Sequence, residues 1–130
     1  MKNNSKFRLT NKITFVLGGV GLIGTSISKF FLENGSIVII LDINKANYKK
    51  FILNNKITSN KIFFEKFDCT KLNVAEILLS KIINKYGCPS IFINVAYPFT
   101  KSWKNSDFDK IKLNYYLENI NSQLNSNIWI

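Results

Sequence analysis

Residues Asn11–Asn44 read NKITFVLGGVGLIGTSISKFFLENGSIVIILDIN. Of the six glycines in the chain, four (Gly18, Gly19, Gly21 and Gly24) fall within a seven-residue window of this stretch. Ahead of them, Ile13–Leu17 (ITFVL) is a short apolar run of β-forming residues. Behind them, Ile23, Ile27, Phe30 and Phe31 recur at helical spacing, and Asn34-Gly35 supplies a helix stop in which Gly35 can turn left-handed. A second apolar run, Ile37–Leu41 (IVIIL), leads straight to Asp42. The pattern is strand, glycine-rich turn, helix, strand, with a carboxylate at the end of the second strand.

The alternation continues outward. Residues 45–56 are polar and Lys-rich, with Tyr48, Phe51 and Ile52 marking the inner face of a surface helix. Residues 61–67 (KIFFEKF) read as a third strand. In residues 71–86, Val74, Leu78 and Ile82 form one stripe, and Gly87 and Pro89 end that helix. Residues 90–94 (SIFIN) are a fourth strand, followed by a loop with Pro98 and Trp103. From Ser106, with Asp109 in a capping arrangement, a last helix is expected through Ile111, Tyr115, Leu124 and Ile128. Continuous apolar strands joined by helices mean a parallel sheet covered on both faces. Right-handed crossovers then give a three-layer, Rossmann-like α/β fold with strand order 3-2-1-4. No internal repeat or boundary divides residues 1–130, so a single domain is expected.

Composition narrows the function classes. A hydrophobic content of 46% with 14% aromatics excludes general disorder. No apolar run reaches the ~18 residues of a membrane helix. The basic N-terminus MKNNSKFRLTNK lacks the apolar segment of a signal peptide, so a cytoplasmic protein without membrane contact is the default expectation. The net charge is +10 with no His. Its lysines are scattered through a chain inflated in Lys, Asn and Ile together, which reads as compositional bias and disfavours nucleic-acid binding. Cys69 and Cys88 lack metal-ligand spacing and there is no His, so no metal site is expected. Both cysteines read as free, partly buried thiols of a reducing compartment.

The glycine spacing carries chemistry. Gly18, Gly21 and Gly24 form G-x-x-G-x-x-G, with Gly19 as an extra. Gly18 lets the chain turn off the strand, Gly21 lets bare backbone approach a pyrophosphate, and Gly24 lets the helix lie close to the sheet. The helix N-terminus, with Leu22 and Ile23 in its first turn, then offers unpaired N–H groups and a partial positive charge to phosphates. Asp42 lies eighteen residues after Gly24, with Ile43 beside it, where a carboxylate can bind an adenosine ribose. The plainer role for Asp42 is that of a turn residue after a strand. Asp68 and Asn94 end strands three and four at the same sheet edge. A carboxylate at position 42 repels a 2′-phosphate and no Arg lies near it, which favours NAD over NADP. No Gly-Lys-Ser/Thr follows the glycines, which disfavours an ATPase.

Taken in order, these segments resemble the short-chain dehydrogenase/reductase family. LGGVGLIG resembles the family's TGxxGxxG, with Leu17 in place of Thr. LDIN resembles the acidic end of strand two. FDCT resembles the family's D-V-T, which implies that Asp68 and Cys69 flank an adenine ring. NVAYP resembles N-N-A-G, which implies that Asn94, Val95 and Ala96 line the cofactor channel; Asn94 and Ala96 match, Val95 and Tyr97 do not. The Ala-Tyr-Pro variant is similar to short-chain dehydrogenases associated with flagellin glycosylation and nonulosonic-acid pathways. ENINSQL looks like the helix that carries the family's catalytic Asn, here Asn121. The resemblance runs from about Lys12 to Ile130 and implies NAD-dependent hydride transfer on an alcohol or ketone, with a sugar-related small-molecule substrate.

The family's catalytic Ser and its Tyr-x-x-x-Lys lie beyond a fifth strand, and no counterpart follows here. Tyr97-Pro98-Phe99-Thr100-Lys101 has the Tyr–Lys spacing, but Pro98 biases Tyr97 to an extended conformation and keeps the pair off one helix face. Together with the abrupt apolar end NIWI, this leads to the expectation of a truncated family member, inactive alone. Its candidate partners are a second copy or a complementing C-terminal fragment. A non-catalytic nucleotide-binding or interaction module is the alternative, and a basic nucleic-acid binder ranks below it.

Overall fold

The computed structural model describes residues 8–104 and 107–129. Four parallel strands, β1 (Ile13–Leu17), β2 (Ile37–Asp42), β3 (Ile62–Lys66) and β4 (Ile91–Asn94), form one sheet in the order β3-β2-β1-β4. The helices are α1 (Leu22–Glu33), α2 (Lys45–Asn54), α3 (Leu72–Tyr86), a single turn α4 (Lys101–Lys104) and α5 (Leu113–Trp129).

Alternation along the central strands builds two cores. Phe15 and Leu17 of β1 and Ile39 and Leu41 of β2 point to one face, where Ala75 and Ile82 of α3 cover them. Val16, Val38 and Ile40 point to the other, where Ile27, Phe31 and Leu32 of α1 and Phe51 of α2 close over them. A run buried on both faces has to be almost wholly apolar, and the buried positions of β1 and β2 are apolar but for one. The one hydroxyl within them, Thr14, meets Ser36 at 2.7 Å. Ser36 in turn donates to the Lys12 carbonyl at 2.7 Å, so the polar pair is satisfied inside the core.

Strand register brings the site together. Leu17 is level with Leu41 of β2 and with Asn94 of β4, and Asp42 is level with Lys66 of β3. The residues just beyond these positions therefore emerge side by side at one sheet edge. Tyr86 and Lys85 at the end of α3 both donate to Glu65 Oε1 at 2.8 Å, fastening that helix to the edge strand β3. The outer edge of β4 has no strand partner among the described residues, and no helix among them is long and apolar enough to cross a membrane.

Several expectations need correction. Ser106 lies outside the described residues. The last helix begins at Leu113, because residues 108–110 form a 3-10 turn and Ile111 is extended (φ −65°, ψ 121°). The Trp103 loop contains the short helix α4. On α1, Ile23 and Phe30 face outward and the small residues Gly24 and Ser28 are the buried ones, because only small residues fit against the glycine turn, while Ile27 and Phe31 pack on the core as expected. On α3 the inner position is Ala75 and Val74 is exposed. Cys69 is buried, but Cys88 is exposed.

Burial pushes the Glu65 carboxyl up, yet the hydrogen bonds from Lys85 and Tyr86 outweigh it and leave its pKa below the ordinary value of 4.5. Lys85 is pushed up to about 12, by Glu65 first and then Tyr86. A carboxylate with a depressed folded pKa stabilises above its unfolded pKa, and that stabilisation is lost as pH falls through the folded value. Glu65→Gln is expected to lose about 1 kcal/mol at neutral pH and to show a shallower acid limb than the parent. Thermal melts between neutrality and the region below pH 4.5 measure both; parallel acid limbs would mean the cluster adds nothing.

Candidate functional site

The junction between β1 and α1 is built from main chain packed on main chain. Gly18 has φ +77°, and a Cβ there would stand 2.7 Å from both the nitrogen and the Cα of Ala96. The β1 turn thus rests directly on the loop that leaves β4, and side chains at residue 18 are excluded twice, by backbone angle and by space. A Cβ at Gly24 would overlap the Gly18 carbonyl oxygen and sit 2.8 Å from the Gly19 Cα. Gly24 is therefore required by the turn folded back on it, rather than by the sheet as the sequence suggests. Gly19 is more than an extra, because a Cβ there would meet the Val16 carbonyl at 2.9 Å and Ile40 at 3.0 Å.

Gly21 differs from its neighbours. It is exposed and is the N-cap of α1, and a Cβ there would meet only the Gly18 oxygen, at 3.3 Å. No side chain caps this helix and its first turn holds no acidic residue. Leu22, 97% exposed, and Ile23 follow in that turn. Their N–H groups have no helical acceptor, so the helix presents a bare positive terminus at the strand ends.

The other sequence-predicted residues surround it. Asp42 accepts the Val20 N–H on Oδ2 at 3.2 Å and the Asn44 N–H on Oδ1 at 3.0 Å. It is a turn residue as well as a carboxylate facing the glycine turn. Ile43 beside it is exposed. Asp68 Oδ1 accepts both the backbone N–H of Thr70, at 3.0 Å, and its hydroxyl, at 2.6 Å. Cys69 turns into the core; burial, and then the Asp68 charge, push its thiol pKa up, against a hydrogen bond with Ser126. Asn94 donates to Asn127 Oδ1 at 2.7 Å and accepts the Ala96 N–H at 3.1 Å, tying the end of β4 to α5 and to its own loop. Val95 packs on the α1 side.

Asn121 is exposed and lines a cleft of about 240 Å³ between the start of α3 and α5, with Cys69, Thr70 and Ser122 among its neighbours. The buried amide of α5 is Asn119, 1% exposed, whose Oδ1 accepts the Thr100 N–H at 3.4 Å. Tyr97 is exposed in the loop before α4 and shares no helix with Lys101. Sequence reasoning missed Ser28, Asn119 and Asn127. Only Ser28 left a signal, a small residue four places after Gly24 and so on the same helix face.

An αβα sandwich with this strand order and a bare glycine turn at its switch point is a Rossmann-type NAD(P)-binding fold. No family model matches the chain. Among curated proteins it is 29% identical over 118 residues to post-translational flagellin modification protein A of Campylobacter coli, covering 89% of this chain and 46% of that protein. It is 33% identical over 90 residues to the 3-oxoacyl-(acyl-carrier-protein) reductase FabG of Chlamydia muridarum, covering 68% and 36%. Two solved structures from Brucella melitensis share the fold. One, a short-chain dehydrogenase/reductase described as a glucose/ribitol dehydrogenase, gives a TM-score of 0.75 at 18% identity, over 95% of this chain and 51% of that one. The other, a 3-ketoacyl-(acyl-carrier-protein) reductase complexed with NADH, gives 0.69 at 15% identity, over 91% and 46%. The chain is thus related to the short-chain dehydrogenase/reductase family, and it spans less than half the length of the curated relatives it matches.

Gly24→Ala is expected to destabilise the chain by about 1–3 kcal/mol, even though Ala is the better helix former by about 1 kcal/mol. Ser26→Ala, on the exposed side of the same helix, is expected to leave stability unchanged. Denaturant unfolding of the two variants measures the contrast.

Proposed function

We propose that this chain forms the cofactor-binding portion of an NAD-dependent short-chain oxidoreductase acting on an alcohol or ketone, with a sugar-related substrate. The observation that carries the reading is the uncapped N-terminus of α1, opened by Gly21 and set beside the strand ends at Asp42 and Asn94, with Asp68 just beyond the end of β3. A diphosphate would rest against the backbone of Gly18–Gly24, beside the side chains of Leu22 and Ile23. Asp42 and Ile43 would face the adenosine ribose, Asp68 and Cys69 the adenine, and Asn94–Ala96 would line the channel toward the nicotinamide. The exposed backbone at Gly21 fits such a group, since Gly21 lacks a side chain and a Cβ there would press on the Gly18 oxygen at 3.3 Å. The nicotinamide supplies the hydride donor or acceptor when bound, and the chain's own residues bind and orient it. The relative named for flagellin modification is in keeping with the flagellin-linked resemblance from which the sugar-related substrate is drawn, and a reductase of like fold complexed with NADH supports a dinucleotide ligand.

NAD is the preferred cofactor in this reading because Asp42 presents a carboxylate where a 2′-phosphate would stand. A second reading, an interaction module that recruits another strand, draws on the outer edge of β4, which has no strand partner among the described residues. Its partner would be a second copy or a complementing C-terminal segment.

Fluorescence titration of NADH and NADPH against the purified chain tests the cofactor assignment. NADH is expected to bind about fivefold or more tightly than NADPH, the worth of roughly 1 kcal/mol of like-charge repulsion. Asp42→Asn, which removes the charge and keeps an acceptor, is expected to erase that preference. Equal affinity of the parent for both cofactors would overturn the role given to Asp42.

A further inference from the structure

The glycine turn is held by a clamp on a single peptide unit. The carbonyl of Gly19 accepts the Ser28 hydroxyl at 3.1 Å. The N–H of Val20, at the other end of the same peptide, donates to Asp42 Oδ2 at 3.2 Å. In a trans peptide these two groups point in opposite directions, so holding both fixes the plane. A flip would break both bonds and strand a buried hydroxyl, because Ser28 is 0% exposed. The Val20 side chain adds a third anchor, buried with Val16 and Ile40. The three anchors come from α1, the end of β2 and the core.

We infer that Ser28 is a positioning residue for the diphosphate subsite, acting only through the Gly19–Val20 peptide. With that peptide fixed, the turn enters α1 in one conformation, and the free N–H groups of Leu22 and Ile23 are aimed before a ligand arrives. Preorganisation of this kind raises affinity by removing the ordering that binding would otherwise require. Ser28 cannot touch a ligand, since the turn and the sheet enclose it. Asp42 holds the same peptide with the carboxylate assigned to the ribose, so substitutions there mix two effects and Ser28 separates them. This role rests on the dinucleotide reading above.

The test compares ADP, NADH and adenosine binding to the parent chain and to Ser28→Ala by calorimetry or NMR. Loss of one hydrogen bond to the turn is expected to weaken ADP and NADH about five- to tenfold and to leave adenosine within about twofold, because adenosine lacks the diphosphate. Equal weakening of all three, or of none, overturns the inference. Hydrogen exchange on the unsubstituted chain gives a readout that does not depend on the variant folding. The Val20 amide is expected to exchange far more slowly than those of Leu22 and Ile23, and equal rates overturn the clamp. A parent chain that binds NADH but shows no Ser28 effect removes this role alone. One that binds neither ADP nor NADH removes the dinucleotide reading and this role with it.

Discussion

Contact between bare backbones at the end of β1 is the constraint on which the rest of the site depends. Gly18 lies against the Ala96 backbone, Gly24 against the Gly18 carbonyl, and Gly19 against the Val16 carbonyl. Each contact is closer than a side chain would permit. Because the turn is this tight, α1 starts a few residues beyond β1, and its N-cap Gly21 supplies no side-chain cap. Relaxing any of these contacts would move the helix terminus away from the level of Asp42 and Asn94.

The same economy shows in how polar residues are used. Asp42, Asp68 and Asn94 lie at or just beyond the ends of β2, β3 and β4, and each is already bonded to backbone N–H groups of its own loop or of the glycine turn. They shape the loops at this sheet edge. An unpaired carboxylate or amide at a crowded strand end would be a liability, whereas one tied to a loop N–H fixes the loop and keeps further lone pairs for a ligand. Functional and structural accounts of these residues are therefore compatible.

Much of this was legible in the residues. The four strands and the first three helices fall within a residue or two of where apolar runs and turn residues place them. The reason is that β1 and β2 are buried on both faces, which requires continuous apolar runs, and Gly35 and Gly87 end helices in conformations with positive φ. Reading failed where hydrophobicity is a poor guide to facing. Ile23 and Phe30 look like core residues of α1, yet Gly24 and Ser28 occupy the inner face because only small residues fit so near the turn. The region after β4 was least legible, since a 3-10 turn and an extended Ile111 interrupt the helical pattern without any glycine or proline to announce it.

The amino-acid sequence by itself determined the alternating architecture, the parallel strand order and which sheet edge gathers the glycine turn with Asp42, Asp68 and Asn94, because these follow from local periodicity, glycine spacing and the handedness of crossovers. Only the tertiary structure decided what each glycine excludes, that Asn119 rather than Asn121 is the buried amide of α5, and that Ser28 and Asp42 grip opposite ends of one peptide. Those facts depend on distances between residues far apart in the chain. Such distances are set by how closely helix, turn and sheet can pack, a property of the assembled backbone that no local pattern encodes.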